Sequence, residues 1–273
     1  MRSSSVRSAS GFTMQSVSVT VKTWGQVSSH SLHTMHPGSI QTREIIRILE
    51  TIWSNVAMSA RSTAVSEAHF EYVAKRTRGD DPFMKSLKRA AASAGMPAIW
   101  ISPEQASFMQ ILLKNARARD VIEVGTLAGY SAIAMARALP AKGRVRTIEL
   151  NETFADFSER WIAKSDVAGR VEVHRGAGLD VLPRFKDDSA DAAFLDADKG
   201  NYPGYLKESL RIVRQGGLIM VDNAFAFGQL LDKRPTDREV PAVRKFNEIM
   251  AKEKRVHGII VPIGDGLWVG VKN

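Results

Sequence analysis

The feature that most constrains the fold is a regular alternation of short apolar runs with amphipathic segments in the second half of the chain. Helices are predicted between the runs, for example at residues 131–139, 152–165 and 202–213. The apolar runs themselves predict five strands, Val121–Val124, Val145–Ile148, Val171–Val173, Ala192–Leu195 and Leu218–Val221. Because strands that alternate with helices form right-handed βαβ units, this pattern predicts an α/β fold around a mostly parallel sheet.

Two more strands are predicted at the C-terminal end, at residues 256–261 and 267–271. The turn Gly264-Asp265-Gly266 between them is typical of a hairpin, so a sheet of seven strands is expected to end in an antiparallel pair. Helices are predicted ahead of the first parallel strand, at residues 66–76, at 82–94 and from Ser102 onward.

The N-terminal residues have a different composition. They are rich in Ser, Thr and His, and no acidic residue occurs before Glu44. Such a start is typical of an organelle transit peptide, but it also fits an upstream extension with the natural start at Met58, which we favour. We therefore predict a disordered region or extension at residues 1–57 and one folded domain at residues 58–273. A cytoplasmic location is expected, with organelle targeting by residues 1–40 as the open alternative.

A helical pattern occurs within this extension. Apolar residues lie on one face of a helix predicted at residues 40–57, namely Ile45, Ile48, Leu49, Ile52, Trp53 and Val56. Up to Ser39 the apolar residues show no sustained period, so we expect little packed structure there.

The composition excludes several kinds of protein. The chain has no cysteine, which rules out disulfides, thiolate metal sites and cysteine nucleophiles. No apolar run approaches the roughly 18 residues that a transmembrane helix needs, so no membrane partner is expected. The net charge of +9 could attract nucleic acid, but the basic residues are dispersed along the chain, and we interpret the charge as favouring solubility.

A glycine-containing turn after the first parallel strand predicts a cofactor site. The turn is Gly125-Thr-Leu-Ala-Gly129-Tyr-Ser131, at the carboxyl end of the strand, where open α/β sheets bind their ligands. Its glycines are four residues apart, so the turn does not match the G-x-G-x-x-G pattern of dinucleotide-binding proteins. An NAD-dependent oxidoreductase is therefore the least favoured enzyme.

Acidic residues at two strand ends indicate a nucleoside ligand that carries a cationic group. Glu123 precedes the turn by two residues, and a carboxylate there favours a cation, such as the ammonium of a methionine moiety, over a phosphate. Glu149 ends the second strand, where an acid can accept hydrogen bonds from both hydroxyls of a ribose. The alternative for each residue is an ordinary acid at a strand end.

Acids and an amide also follow the fourth and fifth strands, as Asp196-Ala-Asp198-Lys199 and Asp222-Asn223. Parallel strands share a direction, so both groups are expected at the same edge of the sheet. Three hard oxygen ligands from Asp196, Asp222 and Asn223 suit Mg²⁺ or a similar octahedral cation and leave positions for substrate oxygens. Turn or capping roles are the alternative, since Asp and Asn favour such places.

Lys199 lies three residues after Asp196 and is expected to face the same site. We predict that these two residues are catalytic, with Lys199 as the base. The alternative is a lysine that only pairs with Asp198 or holds the substrate.

At these residues the chain resembles the cation-dependent O-methyltransferases, typified by caffeoyl-CoA O-methyltransferase and, more distantly, by catechol O-methyltransferase. The resemblance extends from near Val65 to Asn273. It rests on Ile101-Ser-Pro-Glu-Gln, on the stretch from Val121 to Ser131, and on Phe194-Leu-Asp-Ala-Asp-Lys199, Gly216-Gly217, Val221-Asp-Asn223 and Pro262-Ile-Gly-Asp-Gly266.

The resemblance implies a Rossmann-like class I methyltransferase fold, a homodimer, and a small phenolic substrate with neighbouring hydroxyls. It also implies contacts to S-adenosylmethionine (SAM) from Ile101, Glu123, Gly125, Thr126, Ser131, Glu149, Gly178 and Asp198. Asp196, Asp222 and Asn223 would hold the divalent cation, and Lys199 matches the proposed base. The chain departs from the family at Ala226 and Phe227, where Trp and Asn are usual, so caffeoyl-CoA itself is not the expected substrate.

Two other functions remain open on the sequence. A methyltransferase of a hydroxylated tRNA base would keep the fold and use the basic surface, and its binding would weaken steeply with salt. A non-catalytic SAM-binding protein is the alternative from another class, and the complete set of acids disfavours it.

Overall fold

The computed structural model describes residues 19–23, 26–30 and 65–273. The chain divides into two units, Met1–Ser66 and Glu67–Asn273. In the first unit β1 (Val19–Thr23) pairs in antiparallel register with β2 (Gln26–His30). The sequence analysis did not predict this hairpin, since each strand is only five residues long and mostly polar. The helix predicted at residues 40–57 and the boundary between residues 57 and 58 lie outside the described residues.

The second unit contains the helices and strands predicted from the sequence, together with two helices that were not predicted, Gly178–Val181 and Val240–Lys252. The helices are α1 (Glu67–Ala74), α2 (Pro82–Ser93), α3 (Pro103–Asn115), α4 (Tyr130–Ala138), α5 (Glu152–Ile162), α6 (Gly178–Val181), α7 (Tyr202–Ile212) and α8 (Val240–Lys252). The strands are β3 (Asp120–Val124), β4 (Arg144–Glu149), β5 (Val171–Arg175), β6 (Ala190–Leu195), β7 (Val213–Val221), β8 (Val256–Val261) and β9 (Leu267–Lys272). Short 3-10 turns occupy Leu182–Arg184 and Lys199–Asn201.

The seven strands form one sheet in the order β5-β4-β3-β6-β7-β9-β8. The first five strands in this order are parallel, whereas β9 is antiparallel to both β7 and β8. The predicted Rossmann-like sheet with its C-terminal antiparallel hairpin is therefore confirmed. The strand order reverses its direction of growth between β3 and β6, and such a switch point opens a crevice at the carboxyl ends of the strands.

Two apolar layers cover the sheet. Val121 packs into the layer that includes α2, α3 and α4, and the next residue, Ile122, packs into the layer that includes α7 and α8. Both side chains are at most 1% exposed, as expected for a parallel strand buried on both faces.

Three helices begin at a residue whose side chain caps them. Ser102 accepts a hydrogen bond from the amide of Gln105, and Asp81 and Asn151 cap α2 and α5 in the same way. No residue of α1 is buried. Within the described residues, no helix is long and apolar enough to cross a membrane.

Candidate active site

A cavity of about 790 Å³ opens at the carboxyl ends of the parallel strands. All but one of the residues predicted from the sequence for cofactor, metal and catalysis line this cavity. The lining residues among them are Ile101, Gly125, Thr126, Ser131, Glu149, Gly178, Asp196, Asp198, Lys199, Asp222 and Asn223. The exception is Glu123, which is fully buried behind the wall. The predicted groups are therefore brought to one cavity, although Ile101 and Asn223 are 122 positions apart in the sequence.

The turn after β3 requires glycine at its first position. Gly125 has a φ of +105°, and a Cβ atom built on it would lie 2.0 Å from the backbone oxygen of Asp196. The backbone of β3 therefore passes directly against the end of β6. This close approach places the turn and the acid-bearing segment side by side at the cavity floor.

Glu123 is buried without a full set of hydrogen bonds. Its Oε2 accepts a hydrogen bond of 2.5 Å from the hydroxyl of Thr147, whereas Oε1 has no hydrogen-bond partner within the described structure. Burial raises the pKa of Glu123 to about 8, although the hydroxyls of Ser131 and Thr147 oppose the rise. A buried carboxyl with an unsatisfied oxygen next to a cavity is suited to a cationic ligand.

Two other acids are held in fixed orientations along the same side of the cavity. Glu149 accepts hydrogen bonds from the backbone amides of Leu127 (2.8 Å) and Asn151 (2.9 Å). Asp198 accepts from the hydroxyl of Tyr205 and from the side-chain amide of Asn201, both at 2.6 Å. These bonds set the direction of each carboxylate before a ligand is bound.

Asp196 and Asp222 lie at the ends of the adjacent strands β6 and β7. Burial, followed by the neighbouring charge of Asp196, raises the pKa of Asp222 to about 7. Two carboxylates this close interact unfavourably when both are ionised, and a bound cation would relieve that repulsion. The third predicted metal ligand is the amide of Asn223. In the described part of the chain, no three His, Asp or Glu side chains form a metal-binding group by themselves.

Asn223 is oriented by a residue from the C-terminal hairpin. Its Nδ2 donates a hydrogen bond of 3.0 Å to Oδ2 of Asp265, so the amide oxygen is directed away from Asp265. Asp265 also accepts from the backbone amides of Phe227 (2.7 Å) and Gly228 (3.1 Å). Phe227 lines the cavity with a φ of +59°, an uncommon conformation for a bulky residue, and this carboxylate holds it there.

Lys199 is buried between an acid and a phenol. Its Nζ donates hydrogen bonds to Oδ1 of Asp196 (3.0 Å) and to the hydroxyl oxygen of Tyr202 (2.7 Å). The predicted proximity of Lys199 and Asp196 is therefore present in the structure. The other option considered from the sequence, pairing with Asp198, is not the contact observed.

Several cavity or supporting residues were not assigned a role from the sequence. They are Gln105, Tyr202, Tyr205, Glu239 and Asp265. Gln105 and Asp265 stand within the quoted motifs Ile101–Gln105 and Pro262–Gly266, which was the available signal. Glu239 lies in none of the quoted motifs and had no such signal, since it reaches the site only through the packing of α8.

Known proteins resemble this chain over the same region. Residues 74–273 match a family model described as O-methyltransferase. A catechol O-methyltransferase of Niastella koreensis is 35% identical over 211 residues, which is 76% of this chain and 93% of that protein. A catechol O-methyltransferase of Mycobacterium tuberculosis is 36% identical over 193 residues, covering 70% of this chain and 87% of its own. The crystal structure of an O-methyltransferase from Bacillus cereus in complex with SAH is similar with a TM-score of 0.69 at 34% identity, over 76% of this chain and 97% of that chain.

Proposed function

The chain belongs to the O-methyltransferase family, and on this basis we propose that it transfers the methyl group of SAM to a hydroxyl oxygen of a small aromatic acceptor with neighbouring hydroxyls, using a divalent cation. The observation that carries the proposal is the meeting of two groups in one cavity. The glycine turn at Gly125 lies against Asp196, and Asp196 lies beside Asp222. A methyl donor and a cation would thus be neighbours.

The cofactor would occupy the side of the cavity bounded by β3 and β4. Glu149 and Asp198 have fixed carboxylates there, and the cavity wall includes Gly178, where a Cβ would come within 2.6 Å of the ring of Tyr205. Glu123 would act from behind the wall on the methionine ammonium, since its Oε1 has no hydrogen-bond partner within residues 65–273. The Bacillus cereus relative in complex with SAH supports this assignment of the ligand.

The residues on the β6–β7 side fit a divalent cation. Asp196 and Asp222 supply carboxylate oxygens, and Asn223 supplies an amide oxygen directed by Asp265. Hard oxygen donors of this kind are those that Mg²⁺ prefers, and we propose Mg²⁺ as the resident ion. A cation bound there supplies Lewis-acid chemistry that lowers the pKa of an acceptor hydroxyl.

Lys199 would take the hydroxyl proton. Two of its three N–H positions point to Tyr202 and Asp196, so one position remains for the acceptor. In the neutral amine that position carries a lone pair. The proton would move to Lys199 as the acceptor oxygen forms its bond to the methyl carbon and the bond from that carbon to the sulfonium breaks, which would leave S-adenosylhomocysteine.

The test is a methyl-transfer assay with catechols, hydroxycinnamates and their thioesters, with and without EDTA. We expect Asp196→Ala and Asp222→Ala to reduce metal-dependent transfer by about 100-fold or more, since a Lewis acid contributes several kcal/mol. Binding of SAM is expected to be nearly unchanged. Asp187→Asn, which alters an exposed ion pair with Arg211, is the matched control and keeps full activity. Transfer that survives EDTA and both alanine variants would refute metal dependence.

The Lys199→Met variant tests the role of the proposed base separately from that of the metal ligands. We expect a loss of about 100-fold in kcat, the usual contribution of a positioned general base. SAM affinity is expected to change little, and kcat is compared at saturating cation because Nζ of Lys199 also bonds to Oδ1 of Asp196, a proposed metal ligand. The exposed Lys207 offers the control Lys207→Met, which keeps its activity.

The homodimer and the cytoplasmic location remain proposals. Apolar side chains exposed on α1 and α3, among them Phe70, Val73 and Ile111, are consistent with a subunit contact. Light scattering of the purified chain at several concentrations tests the dimer directly.

A further inference from the structure

Gln105 is a buried polar residue in the wall of the cavity. It is the third residue of α3 and is only 1% exposed. Its Nε2 donates a hydrogen bond of 2.7 Å to Oδ1 of Asp222, which lies 117 residues further along the chain. A buried glutamine so far from its partner in sequence has to be placed by the tertiary fold, and the contact joins α3 to the end of β7.

The orientation of this amide is set on both sides. Nε2 of Gln105 is the donor to Oδ1 of Asp222, so the NH₂ group of the amide faces Asp222. On the other side, a Cβ built on Gly264 would lie 2.1 Å from Oε1 of Gln105. The amide therefore lies between the end of β7 and the hairpin turn at Gly264.

The start of α3 is fixed as well. The hydroxyl of Ser102 accepts a hydrogen bond of 3.2 Å from the backbone amide of Gln105. Ile101, which precedes this cap, lines the same cavity. The first turn of α3 therefore contacts the proposed cofactor side through Ile101 and the proposed metal side through Gln105.

We infer that Gln105 is a positioning residue that fixes the plane of the Asp222 carboxylate for binding of the divalent cation. A carboxylate with one oxygen held has the direction of its second oxygen set as well. Without that bond the Asp222 carboxylate keeps the backbone amide of Asn223 as a donor but loses its side-chain support, and part of the binding free energy of the cation is lost in ordering it. The inference rests on the proposed function, since it presupposes a cation at Asp222.

Calorimetric titration of MgCl₂ into the protein saturated with SAH, without acceptor, measures cation affinity with no turnover. We expect Gln105→Leu, which keeps the size and removes the donor, to weaken cation binding by about 10- to 100-fold, as for other supports of metal ligands. Its affinity for SAH should remain within about 3-fold of wild type, since by this inference only the carboxylate is released. Gln105→Met serves the same purpose if the leucine variant does not fold.

Gln110→Leu is the matched control. Gln110 lies on the same helix and donates a 2.7 Å hydrogen bond from its Nε2 to the backbone oxygen of Ala134, away from the site. Its replacement is expected to leave cation affinity unchanged. Equal cation affinities of Gln105→Leu and wild type would overturn the inference, and so would equal losses in both glutamine variants. Wild-type protein that binds no cation would refute the proposed metal dependence and the inference together.

Discussion

Lys199 donates a hydrogen bond of 2.7 Å to the hydroxyl oxygen of Tyr202, and both side chains are almost completely buried. Tyr202 is 0% exposed, and its hydroxyl also lies 3.4 Å from the backbone oxygens of Leu195 and Asp222. The phenol therefore connects the lysine to the ends of both acid-bearing strands. It holds the amine at the place where a proton would be removed.

Replacing Tyr202 with Phe is expected to reduce kcat by about 10-fold, because the loss of the hydrogen bond that positions the amine of Lys199 costs about 1.4 kcal/mol. SAM affinity should not change, since the hydroxyl lies on the Lys199 side. Tyr205→Phe is the paired control: its hydroxyl bonds to Asp198, so SAM affinity should fall instead. Steady-state kinetics and calorimetric SAM titration of both variants check this. Equal changes in kcat and in SAM affinity for the two variants would contradict this prediction.

Glu123→Gln is expected to change how stability depends on pH. Burial raises the pKa of Glu123 from 4.5 to about 8, so between these values the folded protein keeps a proton that the unfolded chain releases. The contribution of Glu123 to stability is thus present below pH 4.5 and is lost as the pH rises towards 8. Relative to Glu123→Gln, the wild type without cofactor should lose about 1.4 kcal/mol per pH unit in this window. Urea unfolding at several pH values measures the free energy of unfolding of both proteins. If the difference between wild type and Glu123→Gln stays constant with pH, the pKa of Glu123 is not raised.

Gly125→Ala is expected to disrupt the site and lower the free energy of unfolding by about 3 kcal/mol or more, in the range of severe substitutions. The added Cβ would collide with the backbone of Asp196, and the φ of +105° is unfavourable for alanine. Gly79→Ala is the control, since nothing lies within 4 Å of a Cβ there. Thermal and urea unfolding compare the two. Equal stabilities would mean that the strands can move apart at little cost.

Asp265→Ala is expected to release the cavity wall formed by Phe227. The change removes the acceptor for the amides of Phe227 and Gly228 and for Nδ2 of Asn223. The KM for the aromatic acceptor should rise by about 10-fold or more, since each hydrogen bond to a charged group is worth about 1.5 kcal/mol or more. SAM affinity should be retained because the cofactor side is not touched. An unchanged KM would show that Phe227 keeps its position without this carboxylate.

Much of the fold was predictable because it depends on periodicity. Alternating strands and helices, the C-terminal hairpin and the helix caps are local properties, and the parallel sheet follows from them. The same logic placed Asp196 and Asp222 at one edge, since parallel strands end at the same side. The two strands at Val19–Thr23 and Gln26–His30 were missed, because short polar strands carry little periodic signal.

The sequence by itself determined the residue types, the strand–helix order and therefore the edge of the sheet at which the acids stand. Only the tertiary structure decided which side chains hold them: Gln105 against Asp222, Tyr202 against Lys199, and Asp265 against Asn223. Two of these pairs join residues far apart in the chain, and pairing at that distance depends on how helices and hairpin pack on the sheet. Hydrogen bonds require atoms to meet within about 3 Å, and a pattern along the chain carries no information at that scale.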